Sequence, residues 1–227
     1  MHEYRRVNIL RKYVIRVFAK RADLVLVANA QLKEDVSKYA KKIELRGIPT
    51  NLFSNNLIIN EKEDAYVYFG LINKSKAFTE MINSWDRYNS NNTYKLYILT
   101  GTKDAIDVRK HCNVEYIYKA NDEEVLSIMS KCKFCIVPVK PEVDMKNATF
   151  KTGALCGCVC IGKFCEEYSN NSFVINMKDY SEEEFLTAYE AAQNKWTGEL
   201  VEVASRFGSG YTPEAIAKVV ETTIRNI

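Results

Sequence analysis

Short apolar runs alternate with segments whose apolar residues recur every third or fourth position, and the alternation continues along almost the whole chain. Leu24-Val25-Leu26-Val27-Ala28, Ile43-Glu44-Leu45, Ala65 to Phe69, Lys95 to Leu99, Val114 to Tyr118, Phe134 to Val139, Val159 to Ile161 and Phe173 to Ile175 are the runs. The first of these is unbroken and marks a strand covered on both faces, and the others read as strands. Between them, Leu32, Val36 and Tyr39, then Phe78, Met81, Ile82 and Trp85, then Val125, Leu126, Ile128 and Met129, and finally Phe185, Leu186, Tyr189 and Ala192 sit at helical spacing. Strands alternating with helices along the chain predict an α/β fold with a doubly wound parallel sheet and right-handed crossovers. Local signals agree. Asn121 and Glu124 form a capping-box pattern, Ser181 precedes Glu184 by three, Thr212-Pro213 opens a last helix, and Gly157 suits a left-handed helix end. Ser54 to Asp64 is polar and irregular and reads as a connector.

Composition narrows the classes. With 227 residues, the chain fits one large domain, or one domain plus a piece of another. Apolar residues at 47% and charged residues at 27% exclude collagen-like and disordered chains. A net charge of +3 is no nucleic-acid signature. The first residues differ from the rest: Arg5, Arg6, Arg11, Lys12, Arg16, Lys20 and Arg21 are opposed only by Glu3, while Val7, Leu10, Val14, Val17 and Phe18 recur at helical spacing. This is an amphipathic helix whose basic face is solvated, packs on another domain, or lies on an anionic membrane. No apolar run approaches the ~18 residues of a membrane span and no signal peptide is visible, so the expectation is a cytoplasmic protein, peripheral to the membrane at most. Seven cysteines without zinc-site spacing read as buried free thiols in a reducing compartment. His2 is isolated. His111 adjoins Cys112 with no carboxylate evidently placed to orient it, and reads as a surface or turn residue.

In such a sheet, ligands bind outside the carboxyl ends of the strands. The first loop there is Gly70-Leu71-Ile72-Asn73-Lys74-Ser75-Lys76. Its glycine admits close backbone approach, and Lys74 and Lys76 could add charge to a diphosphate site, or simply be solvated lysines on a turn. Thr100-Gly101-Thr102-Lys103-Asp104 and Tyr118 to Ala120 follow the next strands, and the former has an ordinary strand-to-helix turn as its alternative. The last loop carries Glu142 and Asp144, then Asn147, Lys151 and Thr152 at a helix start. Carboxylates accept from sugar hydroxyls, and a lysine beside helix amides neutralises phosphate. Equally, Glu142 and Asp144 could be solvated charges and Asn147 an N-cap.

The order of these passages resembles the large retaining family of GT-B glycosyltransferases that includes bacterial polysaccharide and lipopolysaccharide transferases (family 4, or group 1). Ala22-Asp23-Leu24-Val25-Leu26 through Gly47-Ile48-Pro49 and Phe53 is similar to its "aD-x-v-i … v-i-x-N-G-v-D" passage. Phe69-Gly70-Leu71 to Lys76-Ala77 is similar to "v-G-R-L-x-x-x-K-G", Leu96 to Gly101 to "l-x-i-v-G", and Glu123 to Pro138 to "e-l-x-x-x-y-x-x-a-d-v-x-v-x-P". Thr152-Gly153-Ala154-Leu155-Cys156-Gly157 resembles "E-A-m-a-x-G".

The resemblance implies a Rossmann-like domain, the C-terminal half of a GT-B fold, at 54–227, preceded at 1–53 by a remnant of the acceptor-side domain. It implies a hexose transferred from a UDP- or GDP-sugar in surface polysaccharide biosynthesis, with no metal or cofactor. Gly70, Lys74, Lys76, Gly101, Tyr118, Asn147, Lys151 and Thr152 would bind the donor, Lys76 at the diphosphate, with Asp144 and Glu142 catalytic. The family's arginine position holds Leu71, and its paired glutamates fall on Asp144 and Thr152. A glycan or lipid-linked acceptor and a separate acceptor-domain subunit are the implied partners. The alternative is an inactive relative acting as an interaction or regulatory subunit.

Overall fold

The computed structural model describes residues 8–226 apart from 46, 55, 56, 58, 60, 104–106, 108 and 109. His2, Glu3, Arg5, Arg6, Val7 and Asp104 lie outside the described residues. The elements run α1 (Ile9–Arg21), β1 (Val25–Val27), α2 (Ala30–Ser37), β2 (Ile43–Leu45), β3 (Glu63–Phe69), α3 (Phe78–Tyr88), β4 (Lys95–Thr100), β5 (Val114–Tyr118), α4 (Asp122–Lys131), β6 (Cys132–Ile136), α5 (Ala148–Leu155), β7 (Val159–Gly162), α6 (Glu166–Ser169), β8 (Val174–Asn176), α7 (Glu182–Lys195), α8 (Gly198–Ser209) and α9 (Pro213–Arg225).

Strands β3 to β8 form one six-stranded sheet in the order β5-β4-β3-β6-β7-β8, parallel throughout. This is the Rossmann-like doubly wound α/β fold. The strand order reverses between β3 and β6, which places a crevice at the carboxyl ends of those two strands. Alternation along each strand builds a core on both faces. Tyr66 and Tyr68 of β3, Leu96 and Ile98 of β4, and Phe134 and Ile136 of β6 pack with Trp85 of α3 and Tyr189 of α7. Ala65 and Val67, Leu99 and Cys135 point the other way, towards Met129 of α4 and Phe150 of α5. Each fully buried side chain of this size contributes roughly 1.5–3 kcal/mol.

The helix ends follow the signals in the chain. Asn121 and Glu124 form a complete capping box on α4, Thr212 caps α9 ahead of Pro213, and Gly157 sits at φ +74°. The sequence reading places nothing over 198–209, where the structure has α8. Its two glycines mask it. Gly208 is there for contact rather than for breaking: a Cβ on it would lie 2.2 Å from the backbone nitrogen of Leu155 in α5.

The first strands pair separately, β1 parallel to β2 with Val25 opposite Ile43 and Val27 opposite Leu45. Two expectations fail here. The run 24–28 is not covered on both faces, since Leu26 is 43% exposed. The stripe Leu10, Val14 and Phe18 faces solvent at 71%, 44% and 71% exposure. The reason is geometric: α1 meets the strands through Ile15 and Ala19, around a small core of Val27, Leu32 and Val36. Nothing among the described residues covers its other side. An apolar groove of about 420 Å³ remains between α1 and β1.

Candidate donor site at the strand-order reversal

The loops after β3 and β6 are sewn together across the crevice. Gly70 turns the chain out of β3 at φ +141°, a conformation that L side chains rarely adopt. Lys76 and Val139 form an antiparallel bridge. The Ala77 N–H donates to the Pro138 carbonyl at 2.8 Å, and the Lys140 N–H to that of Ser75 at 2.8 Å. This lacing fixes where the lysines stand. Lys74, Lys76 and Lys140 line a cavity of about 660 Å³ together with Asn73, Thr79 and Glu80. Lys76 is half-buried, and burial pulls its pKa below the usual lysine range. Its ammonium makes no hydrogen bond or ion pair with the described residues. Lys140 pairs with Glu80 at 2.8 Å. The α3 amino end opens on the same cavity, and Ala77 at its N-cap offers no side-chain acceptor, so its N–H groups favour an anion. A desolvated cation without a counter-ion, beside two further lysines and a helix start, can neutralise a diphosphate.

Lys140 is absent from the sequence-based set. The signal was present, a lysine leaving the Pro138 strand end, but only the β3–β6 pairing brings it beside Lys76.

The other expected residues fall into three groups. Glu142 is exposed. Asp144 is held: its Oδ1 accepts from the Lys146 N–H at 3.0 Å and its Oδ2 pairs with Lys146 Nζ at 3.1 Å. Asn147 caps α5, accepting from the Phe150 N–H at 2.8 Å. Lys151 and Thr152 are fully buried. Lys151 Nζ donates to the carbonyls of Ile48 at 2.6 Å and Met145 at 2.5 Å, and lies 4.7 Å from the Tyr211 ring centre. Burial brings its pKa down to about 8, with Asp144 pulling the other way. The Thr152 hydroxyl meets that of Thr50 at 2.6 Å, and Thr50 N–H donates to Tyr211 O at 2.8 Å. These two residues thus clasp the segment that joins β2 to β3. Finally, Gly101 and Tyr118 lie at the ends of β4 and β5. Thr102 accepts from the Ile72 N–H at 2.9 Å, and Lys119 N–H donates to Thr100 O at 3.0 Å. Tyr118 and Leu71 remain 41% and 58% exposed, so this edge presents apolar side chains and a bare backbone turn.

His111 departs from its sequence reading. Its Nδ1 lies 2.7 Å from Asp86 Oδ2 on the last turn of α3, and Asp86 Oδ1 also accepts from the Cys112 N–H at 2.9 Å. A carboxylate does orient this histidine, in a half-buried tie between α3 and the start of β5. The cysteines are free, Cys112 half-buried and the other six buried. Burial raises the thiols of Cys132, Cys156 and Cys158, which leaves them protonated packing groups.

No family model matches the chain, and no curated protein matches it by sequence. Solved structures do. The pneumococcal O-GlcNAc transferase GtfA, solved with UDP and GlcNAc, is similar over 94% of this chain and 47% of its own, with TM-score 0.62 and 15% identity. TarM of S. aureus, solved as a point mutant with fondaparinux, α-GlcNAc-glycerol and UDP, is similar over 92% of this chain and 45% of its own, with TM-score 0.63 and 14% identity. The α,α-trehalose 6-phosphate synthase of Burkholderia multivorans is similar over 96% of this chain and 61% of its own, with TM-score 0.63 and 10% identity. The fold is therefore the one these GT-B glycosyltransferases share, as the resemblance in the sequence implied. The chain spans about half the length of the first of them. Among the described residues, no helix is long and apolar enough to cross a membrane.

Proposed function

We propose that this chain is the donor-binding part of a glycosyltransferase that transfers a hexose from a UDP- or GDP-sugar in surface glycan assembly. One observation carries the reading: a half-buried, uncompensated Lys76 at the strand-order reversal, in a cavity with Lys74 and Lys140. Buried cations are ordinarily paired, and one held ready without a partner suits an anionic ligand. The leaving nucleoside diphosphate gathers negative charge as the glycosidic bond breaks, and preorganised cations and helix amides stabilise it there. The exposed edge of Gly101 and Tyr118 would take the nucleoside, and Asp144 or Glu142 the sugar hydroxyls. Asp144 first has to exchange its bond with Lys146. The acceptor would come from a second lobe or subunit seated on the apolar groove beside β1, with Arg11, Lys20 and Arg21 of α1 turned to an anionic membrane surface.

Calorimetric titration of the full chain with a panel of UDP- and GDP-sugars tests this. Saturable binding of one of them, displaced by the matching free nucleoside diphosphate, is the expected result. Heats indistinguishable from buffer across the panel would remove the donor reading.

A second reading is favoured by a specific observation. Lys151 and Thr152 are spent on internal bonds, and Leu71 stands exposed at the arginine position. A relative that kept the fold as an interaction subunit would show that pattern. It predicts an empty sugar-nucleotide panel alongside capture of a catalytic partner.

A further inference from the structure

One acidic side chain faces the three lysines. Glu80, in the first turn of α3, lines the same cavity and is its only carboxylate among the described residues. Its Oε1 accepts from Lys140 Nζ at 2.8 Å. Burial alone would push its pKa up, and the bond from Lys140 helps to offset that, so that it lies below the usual carboxylate range. Glu80 thus occupies a lysine ammonium that a phosphate would use at this place, beside the amino end of α3. The backbone that carries this lysine is fixed, because the Lys140 N–H is bonded to Ser75 and the neighbouring Val139 bridges to Lys76. Lys76, a few residues away across that bridge, has no such counter-ion among the described residues.

We infer that Glu80 is a resident stand-in for a phosphate group, and that Lys140 is a third lysine of the diphosphate site, released to the ligand when the Glu80 carboxylate swings out. The inference deepens the donor reading proposed above and rests on it. Glu80 sets the threshold of the site. With the carboxylate in place the cavity carries a neutralised lysine and a negative charge of its own, so a weak or singly charged anion gains little by entering. A diphosphate brings enough charge to displace it, meeting Lys76 and Lys140 from the two sewn loops at once. Lys140 then acts with its charge on the ligand and Glu80 only by competing for it, so their effects are coupled rather than independent.

The test is titration of the full chain with inorganic pyrophosphate, in wild type, Glu80→Gln, Lys140→Ala and the double variant. Glu80→Gln keeps the shape and the side-chain length and is expected to bind about fivefold more tightly, and Lys140→Ala about fivefold more weakly. In the Lys140→Ala background, Glu80→Gln should give no gain, because the lysine it frees is gone. An equal gain in both backgrounds would mean that Glu80 acts only through general repulsion and would overturn the inference. So would a Glu80→Gln protein that binds pyrophosphate no better than wild type, or a series in which none binds. Parallel titrations with UDP and GDP separate the two claims. The coupling in pyrophosphate without any nucleotide binding would sink the donor reading and leave the phosphate switch. Nucleotide binding with additive variants would do the reverse.

Discussion

At the scale of single residues, the candidate site divides into side chains held ready and side chains already used. Lys76 is the clearest of the first kind and Lys151 of the second. Lys151 is fully buried, and its pKa is lowered to about 8, mainly by desolvation. The unfolded chain, with an ordinary lysine, binds more protons than the folded one between that value and about 10.4. The buried charge therefore costs stability in full below pH 8, and the cost is relieved as pH rises through the window. Compared with Lys151→Met, wild type is therefore expected to gain in melting temperature from pH 8 to pH 10, which paired thermal melts will read. A flat difference would mean that the ammonium is as well solvated by its two carbonyls as by water. Thr152→Val removes the hydroxyl that meets Thr50 and is expected to cost about 1 kcal/mol in urea denaturation. Nothing in the sequence distinguished Lys151 and Thr152 from ligand-binding residues. Lysine, threonine and asparagine at a helix start read alike, whether they serve a phosphate or a neighbouring loop. Only the position of Gly47 to Leu52 decides, more than ninety residues earlier in the chain.

At the scale of elements, the strands were legible and two helices, the single turn α6 and the longer α8, were not. The central strands are short apolar runs because both faces of the sheet are covered, so the pattern reads without ambiguity. α8 was hidden by Gly198 and Gly208, residues that normally end helices. In the structure Gly208 is the point where α8 and α5 touch, and a methyl group there would meet the Leu155 backbone. Gly208→Ala is accordingly expected to destabilise by about 3 kcal/mol or more, since backbone cannot yield as a side chain can. Because α5 carries Lys151 and Thr152, the same change should loosen the clasp on the β2–β3 junction. Faster hydrogen exchange at the Thr50 amide, which bonds to Tyr211 O, would report that. Protection unchanged from wild type would show the clasp to be independent of the α5–α8 contact.

At the scale of the whole molecule, the architecture is a six-stranded sheet with both faces covered and a two-stranded piece with one side bare. The periodicity of α1 correctly gave a helix. It gave the wrong buried face, because amphipathic spacing states which side wants cover and cannot say whether the cover lies in the same chain. Phe18→Ser is therefore expected to change stability by no more than about 0.5 kcal/mol, whereas Leu32→Ala, in the small core beside it, should cost about 2–5 kcal/mol. Denaturant curves of the two variants measure this. A large loss from Phe18→Ser would mean that the stripe is covered in solution by a second copy of the chain. The crevice itself was foreseeable from alternation and the rule of strand-order reversal. What the sequence could not show is which charged groups meet there, since Lys76 and Lys140 are brought together only by the bridge between two loops.

The donor reading stands or falls with a pyrophosphate held by Lys76 at this crevice. The measurement that decides it is the affinity of a nucleoside diphosphate relative to its monophosphate, in wild type and in Lys76→Ala. Wild type is expected to prefer the diphosphate, and Lys76→Ala to lower diphosphate affinity by about tenfold or more, with the monophosphate much less affected. Equal affinity for the two nucleotides, or a diphosphate preference that survives the loss of Lys76, would contradict it.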